Sequence, residues 1–132
     1  LNIAKGQLAL EEEFSEMMNE PGSLHATQHR PLFIDTDMYV MKVWCEFVFE
    51  KVHAWIEEQI AERKYDLYLL CQPDLPWVKD ELREYPDEKI RLELYKIYKT
   101  ILTNQSVPWA EVSGTGAART QSATDAIDKI IQ

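Results

Sequence analysis

The order of apolar patterns along the 132 residues predicts an α/β fold, a parallel sheet whose strands are joined by helical crossovers. That reading rests on three features. Leu67 to Cys71 is a short, mostly apolar run, the length of a strand buried on both faces. Further apolar runs at 32–34 and 107–112 recur along the chain. Between them lie longer stretches whose apolar residues return at helical spacing. A buried strand that opens into a polar loop is where open α/β sheets meet their ligands. The loop after Cys71 offers two acids (Asp74, Asp80), an aromatic plane (Trp77) and a guanidinium (Arg83).

Taken in order, residues 1–18 place Ile3, Leu10, Phe14 and Met17 on one helical stripe, with Gln7 among them. Glu11, Glu12, Glu13 and Glu16 then read as a solvated face. Pro21-Gly22-Ser23 stops the helix. The loop to residue 31 holds His25 and His29, whose spacing suits a metal only on a helix, and none is predicted there. Leu32-Phe33-Ile34 reads as a strand ending at Asp35-Thr36-Asp37, and a helix follows from about Met38. Asp37 suits its N-cap, which accounts for one of the two acids and not the other. Met41, Trp44, Phe47 and Val48 form one inward stripe and Trp55, Ile56 and Ile60 another, with an interruption near Glu50 to His53. Arg63-Lys64 close that helix where positive charge is favoured.

After the strand at 66–71, Asp87 suits the N-cap of a helix carrying Ile90, Leu94, Ile97, Tyr98 and Ile101 on one face. Val107 to Val112 reads as a strand near the sheet edge because of Pro108. Ser113 to Gly116 is a loop. The helix over 117–131 turns Ala123, Ile127, Ile130 and Ile131 inward. No internal repeat is present, and the whole chain reads as one domain.

Composition narrows the function. With 14 basic against 23 acidic residues the net charge is −9, which argues against a nucleic-acid-binding surface. The two cysteines, Cys45 and Cys71, fall in a helix and a strand, a pattern of a reducing compartment. No apolar run approaches a membrane span and the N-terminus is no signal peptide, so the expected location is the cytoplasm, away from membranes.

Asp35-Thr36-Asp37 at a strand tip suits Mg²⁺ held through oxygens, or a general base facing a hydroxyl. It also has the opening of a haloacid-dehalogenase nucleophile motif, but Tyr39 stands where that motif needs a small residue. Gly114-Thr115-Gly116-Ala117-Ala118-Arg119 imitates a dinucleotide fingerprint with Arg119 at the last glycine, after the last strand and not the first. No Gly-x-x-x-x-Gly-Lys-Ser/Thr run occurs.

Several segments together resemble a known family. Ile3-Ala4-Lys5-Gly6-Gln7, Phe33-Ile34-Asp35-Thr36-Asp37, Lys42-Val43-Trp44, Tyr65 to Leu70, Asp74-Leu75-Pro76-Trp77, Asp80 and Leu82-Arg83-Glu84 are similar, in order and spacing, to the NadR-type nicotinamide riboside kinases, which are P-loop proteins. The resemblance covers essentially the whole chain. It implies a three-layer parallel sheet of P-loop kinase type, with a lid-like segment at about 73–91. It also implies a reaction: ATP, with Mg²⁺, phosphorylates the 5′-hydroxyl of nicotinamide riboside, a step of NAD salvage. Asp35 or Asp37 would meet the ribose hydroxyl, with Asp35 also facing the Mg²⁺. Trp77, with Asp80 and Asp74, would line the nicotinamide side. Arg83 and Arg91 would neutralise the transferring phosphate, and Gly114, Gly116 and Arg119 would sit against adenine. Where the family has Gly, Glu81 stands here.

The family's first strand, P-loop and following helix have no counterpart in residues 1–132, and would lie upstream of Leu1. The sheet is therefore expected to close that gap: strand 32–35 pairs with 66–71, a second copy of the chain fills it, or the missing residues do. A competing expectation is a non-catalytic ATPase-like domain that binds a nucleoside-like ligand or a partner protein.

Overall fold

The computed structural model describes residues 1–19, 31–75 and 88–131. They form two compact units, Leu1–Arg63 and Lys64–Gln132.

The first unit is helical: α1 (Asn2–Asn19), α2 (Met38–Phe49) and α3 (Ala54–Glu62). Local chemistry sets the ends of α2 and α3. Asp37, in extended backbone, accepts the Val40 N–H at 3.1 Å and starts α2. Glu50 adopts a left-handed conformation (φ 58°) and its N–H bonds the Glu46 carbonyl, which stops it. His53 starts α3 by accepting the Trp55 N–H on Nδ1 at 3.1 Å. The expected interruption at 50–53 is thus a C-cap followed by an N-cap.

The core of this unit is Ala4, Leu8, Met38 and Ile56, with Met41, Cys45, Val52, Trp55 and Ile60 packed against it. Two expected faces are corrected by it. Helix α1 turns Ala4, Leu8 and Glu11 inward, a spacing of four and three. The longer apolar stripe of Ile3, Leu10, Phe14 and Met17 lies exposed, Ile3 at 77 %. Helix α2 turns Met38, Met41 and Cys45 inward, while Val48 and Phe49 are exposed.

Glu11 shares the inward face of α1. It is 3 % exposed, and Arg63 at the end of α3 reaches its Oε2 with Nη1 at 3.5 Å. The other guanidinium nitrogen bonds Glu12 at 2.8 Å. The acids that read as one solvated face are therefore divided: Glu11 and Glu12 bind the cation, and Glu13 and Glu16 face solvent. On the surface, Lys5 Nζ lies 5.6 Å from the Trp55 ring centroid.

The second unit is built on β1 (Tyr68–Cys71), α4 (Glu88–Thr103), β2 (Trp109–Val112) and α5 (Gly116–Ile131). The strands pair in parallel, Tyr68 opposite Trp109 through Cys71 opposite Val112. Parallel neighbours need a crossover, and α4 lies on it. Two further bonds extend the ladder: the Tyr68 N–H donates to the Pro108 carbonyl at 3.0 Å and the Gln72 N–H to the Val112 carbonyl at 2.9 Å. Pro108 thus stands just ahead of β2, where its carbonyl is used and its missing N–H is not needed.

On α4 the expected face of Ile90, Leu94, Ile97, Tyr98 and Ile101 is half-buried, and Leu102 beside it is buried. On α5, Ala123 and Ile127 are half-buried but Ile130 and Ile131 are exposed, which shortens the inward face expected there. Cys45 is half-buried and Cys71 exposed, both as free thiols.

The sheet has two strands among the described residues, and the expected strand at 32–35 is not one of them. Leu32 and Phe33 are exposed. The Asp35 carbonyl is taken by a side-chain amide, Gln7 Nε2 at 3.1 Å. A short apolar run before a sharp turn does not by itself tell a strand from an exposed approach to the turn.

The Glu11–Arg63 pair gives a stability test. Arg63→Met leaves a buried carboxylate without its cation, a loss of about 3–5 kcal/mol for a fully buried pair. Arg63 keeps 21 % of its side chain exposed, so about 2–3 kcal/mol is expected from urea denaturation. The double variant Glu11→Leu/Arg63→Met should recover most of it.

Candidate functional site

In the first unit, the Asp-Thr-Asp turn divides labour between its acids. Asp37 is occupied by capping α2, and burial raises its carboxyl pKa above the ordinary value, against the opposing pull of the Val40 N–H. Asp35 is exposed; its Oδ1 accepts the Thr36 hydroxyl at 3.3 Å. Thr36 sits at φ 69°, a left-handed conformation that a β-branched residue rarely adopts. Such strain, held by its surroundings, is found at ligand-binding turns. The turn thus presents one exposed carboxylate, Asp35, on a backbone fixed from both sides, by Gln7 and by the α2 cap.

In the second unit, residues that follow the two parallel strands meet at their C-terminal end. Asp74 Oδ2 accepts the Gly114 N–H at 2.7 Å, and its Oδ1 accepts Arg119 Nη1 at 2.6 Å. Arg119 also donates to the Gly114 carbonyl at 3.1 Å and to the Gln72 carbonyl at 3.1 Å. The Gly114 hydrogen bond and the guanidinium hold the Asp74 carboxyl below its usual range. Gly114 (φ 90°) and Gly116 (φ 55°) supply left-handed backbone for the loop. The structure thus brings Asp74, Gly114 and Arg119 together as a clamp between two loops. Arg91, on α4, donates to the Leu75 carbonyl at 3.2 Å. Trp77, Asp80 and Arg83, with most of the lid-like segment, lie outside the described residues, as do His25 and His29.

A third cluster escaped the reading of the sequence. Glu111, inside β2, accepts the Tyr95 hydroxyl at 2.5 Å and Lys99 Nζ at 2.8 Å on Oε1. Its Oε2 accepts the Gln72 side-chain amide at 2.7 Å. These donors, Lys99 first, lower its pKa from 4.5 to about 2. The available signal was an acid inside a four-residue strand, with Tyr95 and Lys99 four apart on the next helix back. Among the described residues no group of three or more His, Cys, Asp and Glu is arranged to hold a metal ion. No described helix is long and apolar enough to cross a membrane.

The second unit carries a β-α-β crossover with polar loops after its strands, and the first an exposed acid just ahead of a helix. Residues 2–119 match the model of a family described as an AAA domain, and the chain belongs to that family of P-loop NTPases, whose domains generally bind ATP with Mg²⁺. Among curated proteins, it is similar to the trifunctional NAD biosynthesis/regulator protein NadR of Escherichia coli (strain K12), 28 % identical over 80 residues. The protein of the same name from Salmonella typhimurium (strain LT2) is 26 % identical over 80 residues. In both cases the match covers 61 % of this chain and 20 % of the relative, so the chain spans about a fifth of the curated relatives it matches. No solved structure matches the chain significantly.

The depressed pKa of Glu111 has a direction that can be measured. Unfolded, Glu111 takes up its proton near 4.5; folded, only near 2. Its contribution is therefore complete above about pH 4.5 and lost as pH falls towards 2. Asp74 acts in the same sense and Asp37, with its raised pKa, in the opposite one. Thermal melts followed by circular dichroism between pH 6 and 2.5 should show a shallower acid slope for Glu111→Gln than for the parent.

Proposed function

We propose that the protein phosphorylates the 5′-hydroxyl of nicotinamide riboside at the expense of ATP, and that Asp35 is the acid that meets that hydroxyl. The observation that carries this reading is the Asp-Thr-Asp turn: one acid is committed to a helix cap, and the other is exposed on a strained, doubly held backbone. The likeness to NAD biosynthesis proteins supports the choice of nucleoside.

ATP with Mg²⁺ supplies the phosphoryl group. An exposed single carboxylate suits Mg²⁺, which keeps several waters and takes one or two protein carboxylates beside phosphate oxygens. Asp35 accepts the hydroxyl proton or orders the ion's water shell; either role needs it ionised and unpaired with a cation. Phosphoryl transfer is catalysed mainly by positioning and charge neutralisation. On their motif positions, Trp77 walls the nicotinamide, Asp80 and Asp74 belong to the substrate side, and Arg83 with Arg91 neutralises the transferring phosphate. Gly114, Gly116 and Arg119 belong to the adenine side, where Arg119 acts by fixing the loop it already binds. Residues 1–132 contain no Gly-x-x-x-x-Gly-Lys-Ser/Thr run, and of the residues named here Asp35, Trp77, Asp80 and Asp74 are assigned the acceptor side of the reaction.

The test is a kinase assay of the full-length protein with Mg-ATP and nicotinamide riboside, following nicotinamide mononucleotide. Asp35→Asn should lower turnover by about 10²–10⁴-fold, the usual contribution of a positioned base, with nucleotide affinity little changed. Asp37→Asn, which retains a good N-cap, should lower it far less. An Asp35→Asn enzyme as fast as the parent would remove Asp35 from catalysis. Nucleoside binding with no turnover in the parent would favour a binding module over a kinase.

A further inference from the structure

We propose that Gln7 is a positioning residue for Asp35: its side-chain amide, reaching from α1, holds the acid turn in its strained form. This rests on the nucleoside-kinase reading given above. Gln7 is half-buried beside the inward face of α1, and its Nε2 donates to the Asp35 carbonyl at 3.1 Å. That carbonyl has no strand to pair with, because residues 31–34 join no ladder. The next residue, Thr36, is at φ 69°. A left-handed threonine is disfavoured by its Cβ, so the turn persists only where something on each side fixes it. On the far side that is the Asp37 cap of α2. On the near side it is Gln7.

The chemistry of the amide suits the task. A lysine or arginine would reach as far but would neutralise Asp35. A glutamate would repel the carbonyl and disfavour ionisation of the neighbouring acid. A glutamine donates one hydrogen bond, carries no charge and does not titrate. Its aim is set by the face α1 buries: Ala4, Leu8 and Glu11 turned inward place Gln7 along the 31–37 segment. The Asp35 carboxylate stays exposed for a ligand while its backbone is held.

Gln7→Met, in the full-length protein, retains the length and volume of the side chain and removes the donor. Gln7→Ala removes both. If the donor matters, both variants should lose about 10²-fold in kcat, as misplacement of a catalytic group by roughly an ångström does. KM for ATP and the melting temperature should stay near those of the parent. In ¹H–¹⁵N spectra the amides of Asp35, Thr36 and Asp37 should shift in both variants. A Gln7→Met protein with parental kcat and unshifted amides would overturn the proposal, since packing alone then suffices. If the parent itself phosphorylates no nucleoside, the kinase reading fails and the catalytic part of this proposal with it. The amide shifts separate the two failures, because they report the hold on the turn without any turnover.

Discussion

The buried Glu11 carboxylate places a constraint on the first unit that its apolar contacts do not supply. A charge removed from water must be paired, and Arg63 at the end of α3 supplies the cation. The contact ties the inward face of α1 to the end of α3. Once α1 is rotated this way, Ala4 and Leu8 fall into the core with Met38 and Ile56, and the bulkier Ile3, Leu10, Phe14 and Met17 are left outside. The same rotation brings Gln7 to the Asp35 carbonyl. A single buried ion pair is thus connected, through one helix, to the geometry of the acid turn.

The second unit depends on a different device. Two parallel strands of four residues each are too little sheet to hold themselves. Their loops are joined at the C-terminal end by Arg119, which binds Asp74, the Gly114 carbonyl and the Gln72 carbonyl together. Glu111 ties β2 to α4 through Tyr95 and Lys99, and reaches the end of β1 through Gln72. Both strands are therefore held by charge-assisted hydrogen bonds made by residues that the apolar pattern does not reveal. This also changes what Asp74 and Arg119 offer a ligand: their polar atoms are already engaged in shaping the loops.

Membership of the P-loop NTPases and the partial likeness to NadR agree with the motif-level reading, while the described residues hold two strands and not the expected one at 32–35. Where local chemistry decides, the sequence was legible. Asp37 caps α2, the 50–53 break lies where it was placed, and the crossover between 68–71 and 109–112 is parallel. The acid turn was legible as a motif, and so was the need of only one of its acids for capping. The segment 32–34 departs from the expected strand because a short apolar run looks alike in a strand and in an exposed approach to a turn.

The sequence by itself determined the helices, the Asp37 cap of α2, the parallel order of β1 and β2, and the residue types of the acid turn, because these depend on spacing and on groups a few residues apart. Tertiary structure decided which face α1 buries, where Glu111 finds its donors, and that Arg119 serves as a clamp. Those outcomes join residues 52, 16 and 45 positions apart in the chain. A charge's cost depends on the partner it meets and on the water it loses, and neither is written in the residues beside it.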